Sequence, residues 1–352
     1  MRWRPRASRW MVRSGRRRLR AAEDVGRGLG GGGDVMRSKG AMVLAAAIVL
    51  ASGTLTRAQD EAATTLEDIV VVARRSGAPT WEIRNGDSVV INVGALSAVP
   101  RDIVWRPEAL EAAVLQADAI VMSQTATMSL ADYMRMRRAR ARLPDGATTA
   151  DYLEADQLTR LEALGARYRQ NYADRGLVAV ARDLLDDRLA YERGAGRGVL
   201  TTVRSMARKA KKSTVHVGDL DARHVDEAVA VPDDNQIACL SAAIRATEAG
   251  KDGMAQRGAS WARQDVRAVM ASPLEQAVDQ CAMFADGDLR RNGRTQWSEA
   301  LADALTAART TLMVTPISVA AEAGGLLDQA AARGLEVSGP EWRISPATHE
   351  GG

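Results

Sequence analysis

Aromatic residues make up only 4% of the 352-residue chain, with a single Phe, and there are two cysteines and three histidines. Two cysteines exclude a disulfide-dense scaffold, a zinc ribbon and an iron–sulfur cluster on cysteine ligands. The histidines, His216, His224 and His349, leave little room for an imidazole-built metal site. No Gly-x-Ser-x-Gly occurs, so no nucleophile elbow is signalled. A chain of this length buries a sizeable core, so bulk stability requires neither a metal nor a disulfide.

A net charge of +4 invites a nucleic-acid reading, but the charge is unevenly placed. Of the 48 basic residues 13 precede Gln59, as do 3 of the 44 acidic ones, which leaves 35 against 41. The body is therefore acidic, and nucleic acid is excluded as the expected partner.

Residues 36–58 have the form of a secretory signal peptide. Met36, Arg37 and Lys39 give a positive start, Ala41–Ser52 is an apolar run, and Thr56-Arg57-Ala58 places small residues where a signal peptidase reads them. The run is shorter than the ~20 residues a bilayer-crossing helix needs. The expectation is a periplasmic or secreted protein cleaved after Ala58, touching a membrane only through this leader; an uncleaved anchor is the alternative. Residues 1–35 are Arg-rich and end in a glycine run, and read as an over-long gene start or a disordered basic extension.

Residues 59–78 read as a linker with a short strand at Asp68–Ala73. Trp81–Ile83 and Ser88–Val93 form a hairpin around Asn85-Gly86-Asp87. Pro107–Gln116 has helical spacing and Ala119–Met122 reads as a buried strand, so that strand, helix and strand suggest a parallel βαβ unit. Residues 128–310 are mostly helical: an Arg-rich helix over Ser129–Arg142, then Ala150–Tyr172, Leu177–Arg193 and Gly198–Lys212. Thr214–Val217 is a short strand, and helices follow near 236–249, 254–270 and 273–284. Thr311–Ile317 and Leu335–Val337 are strands flanking a Glu322–Arg333 helix closed by Gly334. The fold class is α/β, a mixed or parallel sheet built from both ends of the body around a helical middle, with residues 341–352 as a tail.

The ordered set of motifs over residues 79–340 resembles the TraB/GumN family. Trp81 lies on the first strand, the second ends in Gly94-Ala95-Leu96-Ser97, Pro100 and Trp105 precede a helix, and Ala117-Asp118 leads a strand ending at Ser123. Leu289-Arg290-Arg291-Asn292 before the Trp297–Ala308 helix looks like the family's Arg-Asn element. Gly325-Leu326-Leu327 and Ala332-Arg333-Gly334-Leu335-Glu336-Val337 look like its closing unit. The resemblance implies an erythromycin-esterase/ChaN-like α/β fold, and some members are metal-dependent hydrolases or proteases.

Ser97, Ser123 and Ser318 fall where the resemblance places His, Glu and His. A neutral hydroxyl is a poor metal ligand beside imidazole or carboxylate. No metal and no cofactor are therefore expected. The functional reading of the three serines is a hydroxyl-lined pocket for a polar ligand, a sugar or a peptide, beyond the strand ends; the bland one is that each satisfies a strand-end backbone group. Gly94, Arg291 and Asn292 join the candidate set through the resemblance, with Arg291 holding an anionic group or bracing strand ends.

His216, His224 and Asp226 match no standard ligand spacing. Arg135, Arg138 and Arg142 share one helix face, which suits an anionic partner or plain solvation. Cys239 and Cys281, in a chain bound for an oxidising compartment, are expected to pair; two buried thiols are the alternative. The functional expectation is a binding or envelope-supporting protein without the family's metal site, with an envelope protein as the other kind of partner. The alternative is a divergent hydrolase, peptidase-like or esterase-like.

Overall fold

The computed structural model describes residues 70–71, 73–123, 141–193, 195–217, 232–282 and 287–343. A six-stranded mixed sheet has the order β4-β3-β5-β2-β1-β6. β1 (Thr80–Asn85) and β2 (Ser88–Ala95) form the expected antiparallel hairpin. Its turn needs a left-handed residue, which Gly86 supplies at φ 56°. β2, with the sequence Ser-Val-Val-Ile-Asn-Val-Gly-Ala, is buried along its whole length. That near-continuous apolar run suits a strand covered on both faces.

β3 (Ala119–Ser123), β4 (Thr214–Val217) and β5 (Thr310–Pro316) continue the sheet in parallel. β6 (Glu336–Ser338) runs antiparallel on the far side of β1. The sheet is thus assembled from both ends of the body. Helix α1 (Ala109–Gln116) connects β2 to β3, yet these strands are not neighbours, because β5 pairs with both.

The helical middle contains a 3₁₀ turn (Thr149–Asp151), α2 (Ala155–Tyr168), and α3 (Leu177–Arg182), which runs on as a π-helical stretch (Asp183–Leu189). Next come α4 (Val199–Lys209), α5 (Asp234–Ala262), α6 (Val266–Ala271) and α7 (Pro273–Gln280). α8 (Gly287–Thr306) leads into β5, and the short α9 (Ile317–Ala321) and α10 (Leu326–Ala332) lead into β6.

The apolar residues form two clusters, and α5 serves both. Ahead of its kink at Gly250 (φ 61°, ψ −150°), Cys239, Leu240 and Ala243 pack with Leu161, Leu177 and Leu184. Beyond it, Trp261 enters the core around the sheet. The kink explains why a break near 250 is legible in the sequence although the helix resumes at once. Cys239 on α5 and Cys281, just past α7, are joined in a disulfide.

Several expected elements differ, among them the helix expected over 254–270, which stops at Ala262 and resumes at Val266 beyond Gln264 (φ 62°). Val70, Val71, Ala73 and Arg74 are helical, not a strand. Val70 and Ala73 are buried while Val71 is 46% exposed, which is the i, i+3 face of a helix and not period two. The helix expected over Glu322–Arg333 spans only Leu326–Ala332, and the short helix Ile317–Ala321 ahead of it, set off by the turn at Gly324 (φ 72°), was not expected. The Arg-rich stretch with Arg135 and Arg138, and the stretch with His224 and Asp226, lie outside the described residues.

Candidate ligand-binding cavity

The parallel strands β3, β5 and β2 lie side by side and end on the same edge of the sheet. Ser123 is the last residue of β3, while Ser318 and Ser97 each come two residues beyond β5 and β2. Parallel strands deliver their carboxyl ends to one side, so the three serines reach a common space. They line one cavity of about 410 Å³. That volume is within the range of small-molecule sites, about 300–1,000 Å³.

None of the three hydroxyls bonds to a strand-end backbone group among the described residues. Ser97 Oγ accepts from Arg257 Nη2 at 3.4 Å. Ser318 is only 6% exposed, and its hydroxyl is without a partner among the described residues. The Ser123 carbonyl, not its hydroxyl, accepts from Arg204 Nη2 on α4 at 3.0 Å, which pins the end of β3.

The remaining wall comes from helices. α7 contributes Glu275, Val278 and Asp279; α8 contributes Arg290, Gly293, Arg294 and Trp297; Leu200 and Thr201 come from α4, with Gly198 just before it. The charged groups here are paired. Arg257, reaching under the cavity from α5, donates from Nε to Glu275 Oε2 at 2.8 Å. Both side chains are buried, 2% and 4% exposed, so each charge depends on the other for compensation. Glu275 Oε1 receives no hydrogen bond from the described residues and remains open for a ligand donor.

Arg294 donates from Nη2 to Asp279 Oδ1 at 2.9 Å and to Glu322 Oε2 at 2.6 Å. The hydrogen bond to Glu322 holds the guanidinium above its ordinary pKa, with burial working the other way. Arg290 donates to Gln280 Oε1 at 2.8 Å. The cavity therefore offers neutral hydroxyls, the Glu275 Oε1 acceptor and an apolar lining that includes Leu96, Val217, Val278 and Trp297.

A metal ion of the kind the family resemblance implies does not fit this donor set. Its three expected ligand positions carry hydroxyls, and Glu275, Asp279 and Glu322 already neutralise arginines. Among the described residues no group of three His, Cys, Asp or Glu is placed to hold a metal. His216 lies on β4 facing solvent, with Thr214 Oγ1 3.4 Å from its Nε2.

Three sequence candidates are displaced. Gly94 does not line the cavity; it packs inside the sheet core, where an added Cβ would lie 3.0 Å from the Trp81 ring and 3.3 Å from Ile317. Its carbonyl accepts from Trp261 Nε1 at 2.9 Å, so its role is close packing. Arg291 and Asn292 are exposed on α8, and Arg291 pairs with Asp288 one turn earlier. The reason is that α8 is continuous from Gly287. Residues 290, 294 and 297 share its inward face, which turns 291 and 292 outward. The anchor Trp297 could have revealed that face by counting back in steps of three and four. The Arg257–Glu275 pair had no such signal, since the two charges lie on different helices.

The fold and site together define an α/β protein with a polar cavity beyond the carboxyl ends of its parallel strands. The chain belongs to the TraB/PrgY/gumN family, whose model matches residues 79–339. Neither a curated protein nor a solved structure matches it.

Proposed function

We propose that this is a secreted or periplasmic protein, its leader removed after Ala58, that binds a small polar ligand in the serine-lined cavity without a metal ion. The observation that carries this reading is the convergence of Ser97, Ser123 and Ser318 on one cavity, with their hydroxyls uncommitted to strand-end backbone. Hydroxyls and the open Glu275 oxygen suit a ligand that both donates and accepts hydrogen bonds, as sugars and peptides do. The apolar lining takes the rest of such a molecule. An envelope role fits the leader. A divergent hydrolase is the second reading, and what favours it is the same Glu275 oxygen, a carboxylate acceptor that no described group occupies.

The test is a binding and metal assay on purified protein. Glycans and short peptides are screened by thermal shift, and zinc and manganese by calorimetry. The expected result is ligand stabilisation that a Ser97→Ala, Ser123→Ala, Ser318→Ala triple variant loses, with no change in melting temperature on adding chelator. A stoichiometric metal lost together with an activity on chelation overturns the reading in favour of the hydrolase. N-terminal sequencing of secreted protein should begin at Gln59.

A further inference from the structure

We infer that the cavity seats a small organic carboxylate on the amino end of α4, an inference that rests on the cavity being a ligand site. This helix is 11 residues long, and its first turn opens into the cavity: Gly198, Leu200 and Thr201 all line it. Gly198 has no side chain with which to cap it, and the first turn holds no acidic residue. No described group accepts from the N–H of Val199, Leu200 or Thr201. Unpaired N–H groups and the aligned peptide dipoles make such an end a site for negative charge.

A second, independent observation lies across the same space. Ser318, more than nine-tenths buried, lines the cavity with a hydroxyl that has no partner among the described residues. A hydroxyl in that position can donate to a carboxylate oxygen while the helix N–H groups hold the other. Leu96, Val217, Val278 and Trp297 then surround an apolar body.

The wall charges decide between kinds of anion. Arg257, Arg290 and Arg294 stand against Glu275, Asp279 and Glu322, three charges of each sign, with Arg290 Nη2 4.0 Å from Asp279 Oδ2. A dianion such as phosphate would add two negative charges to a wall whose own charges already balance, with only the helix end to offset them. A monoanion needs only the helix end and the hydroxyl. Carboxylate is therefore the class the cavity selects.

Calorimetry on the full chain tests this with hexanoate, hexanamide, inorganic phosphate and N-acetylglucosamine as probes. The informative variant is Gly198→Asp. Gly198 has φ −75° and ψ 169°, which any residue adopts before a helix, and an added Cβ would meet only the Leu96 carbonyl at 3.7 Å. Aspartate there caps the helix itself and competes with the ligand for the same N–H groups. The expected result is hexanoate binding at least about tenfold tighter than hexanamide or phosphate, the scale of a charge-assisted hydrogen bond. Gly198→Asp should abolish hexanoate binding without lowering the melting temperature, and Ser318→Ala should weaken it several-fold. Equal affinity for hexanoate and hexanamide, or hexanoate binding retained by Gly198→Asp, overturns the inference. Binding of N-acetylglucosamine without any preference for carboxylate overturns it too but leaves the cavity's role as a ligand site standing. No binding of any probe overturns both.

Discussion

The strand wall of the cavity presents Ser97, Ser123 and Ser318 among Ala95, Leu96 and Val314, whereas the helix wall presents Glu275, Asp279, Arg290 and Arg294 around Trp297. One wall is neutral and the other ionic. Strand ends leave the sheet pointing the same way, so short polar side chains there collect without long reach and at little desolvation cost. Helices approach from the side with long charged side chains, and each buried charge must find its opposite before the space is dry. Polarity in this cavity is therefore open for a ligand on one side and mostly consumed internally on the other.

Breaking the ionic wall should have the largest effect. Arg257→Ala leaves Glu275 buried without its partner and is expected to cost about 3–5 kcal/mol in urea unfolding. Replacing both with apolar residues, Arg257→Met with Glu275→Leu, should restore most of that, since an intact buried pair is worth little more than good apolar packing. A single variant that unfolds like the wild type would show that the pair does not depend on itself for compensation.

Gly94→Ala probes the ground beneath the strand wall. Its Cβ would crowd the Trp81 ring, and the expected loss is about 1–3 kcal/mol, read as a lower denaturation midpoint with unchanged slope. Ligand affinity should hold, because Gly94 is not on the cavity. A variant of normal stability but impaired binding would return Gly94 to the site.

The smallest effect is expected at Arg291. Arg291→Ala removes an exposed pair with Asp288, and stability should change by no more than about 0.5 kcal/mol, with ligand binding intact. Arg294→Ala, three residues on, strips Asp279 and Glu322 of a shared partner and should be visibly worse in the same thermal melt. A reversed order would mean that the inward face of α8 has been assigned wrongly.

The contrast between the walls also marks what the sequence made legible. Ser97, Ser123 and Ser318 were singled out by the family resemblance, which assigns its expected ligand positions to them, and the short apolar runs before them marked the strand ends. β1 to β6 were each visible through such runs. Arg257 and Glu275 were not, because pairing across α5 and α7 depends on how two helices cross, and no local pattern encodes that. Ser272-Pro273-Leu274-Glu275 even has the spacing of a capping box, which would keep Glu275 at the helix end. Ser272 does accept from the Glu275 N–H, but the carboxylate turns to Arg257 instead. Val70 and Ala73 were mistaken for strand residues because a run of valines is β-prone in isolation, and tertiary burial on one helical face overrides that preference.

The position of β5 has a consequence for the order of synthesis. β2 and β3 have no bonds to each other, and what joins them is a strand made of residues 310–316. A nascent chain that has not reached those residues holds the β1–β2 hairpin and the β3–β4 pair as separate fragments, each with an open edge and apolar faces uncovered. Closing the sheet waits for β5, as it does wherever pairing is strongly non-local. A ribosome making this protein therefore emits a polypeptide whose sheet stays open until residues 310–316 have emerged.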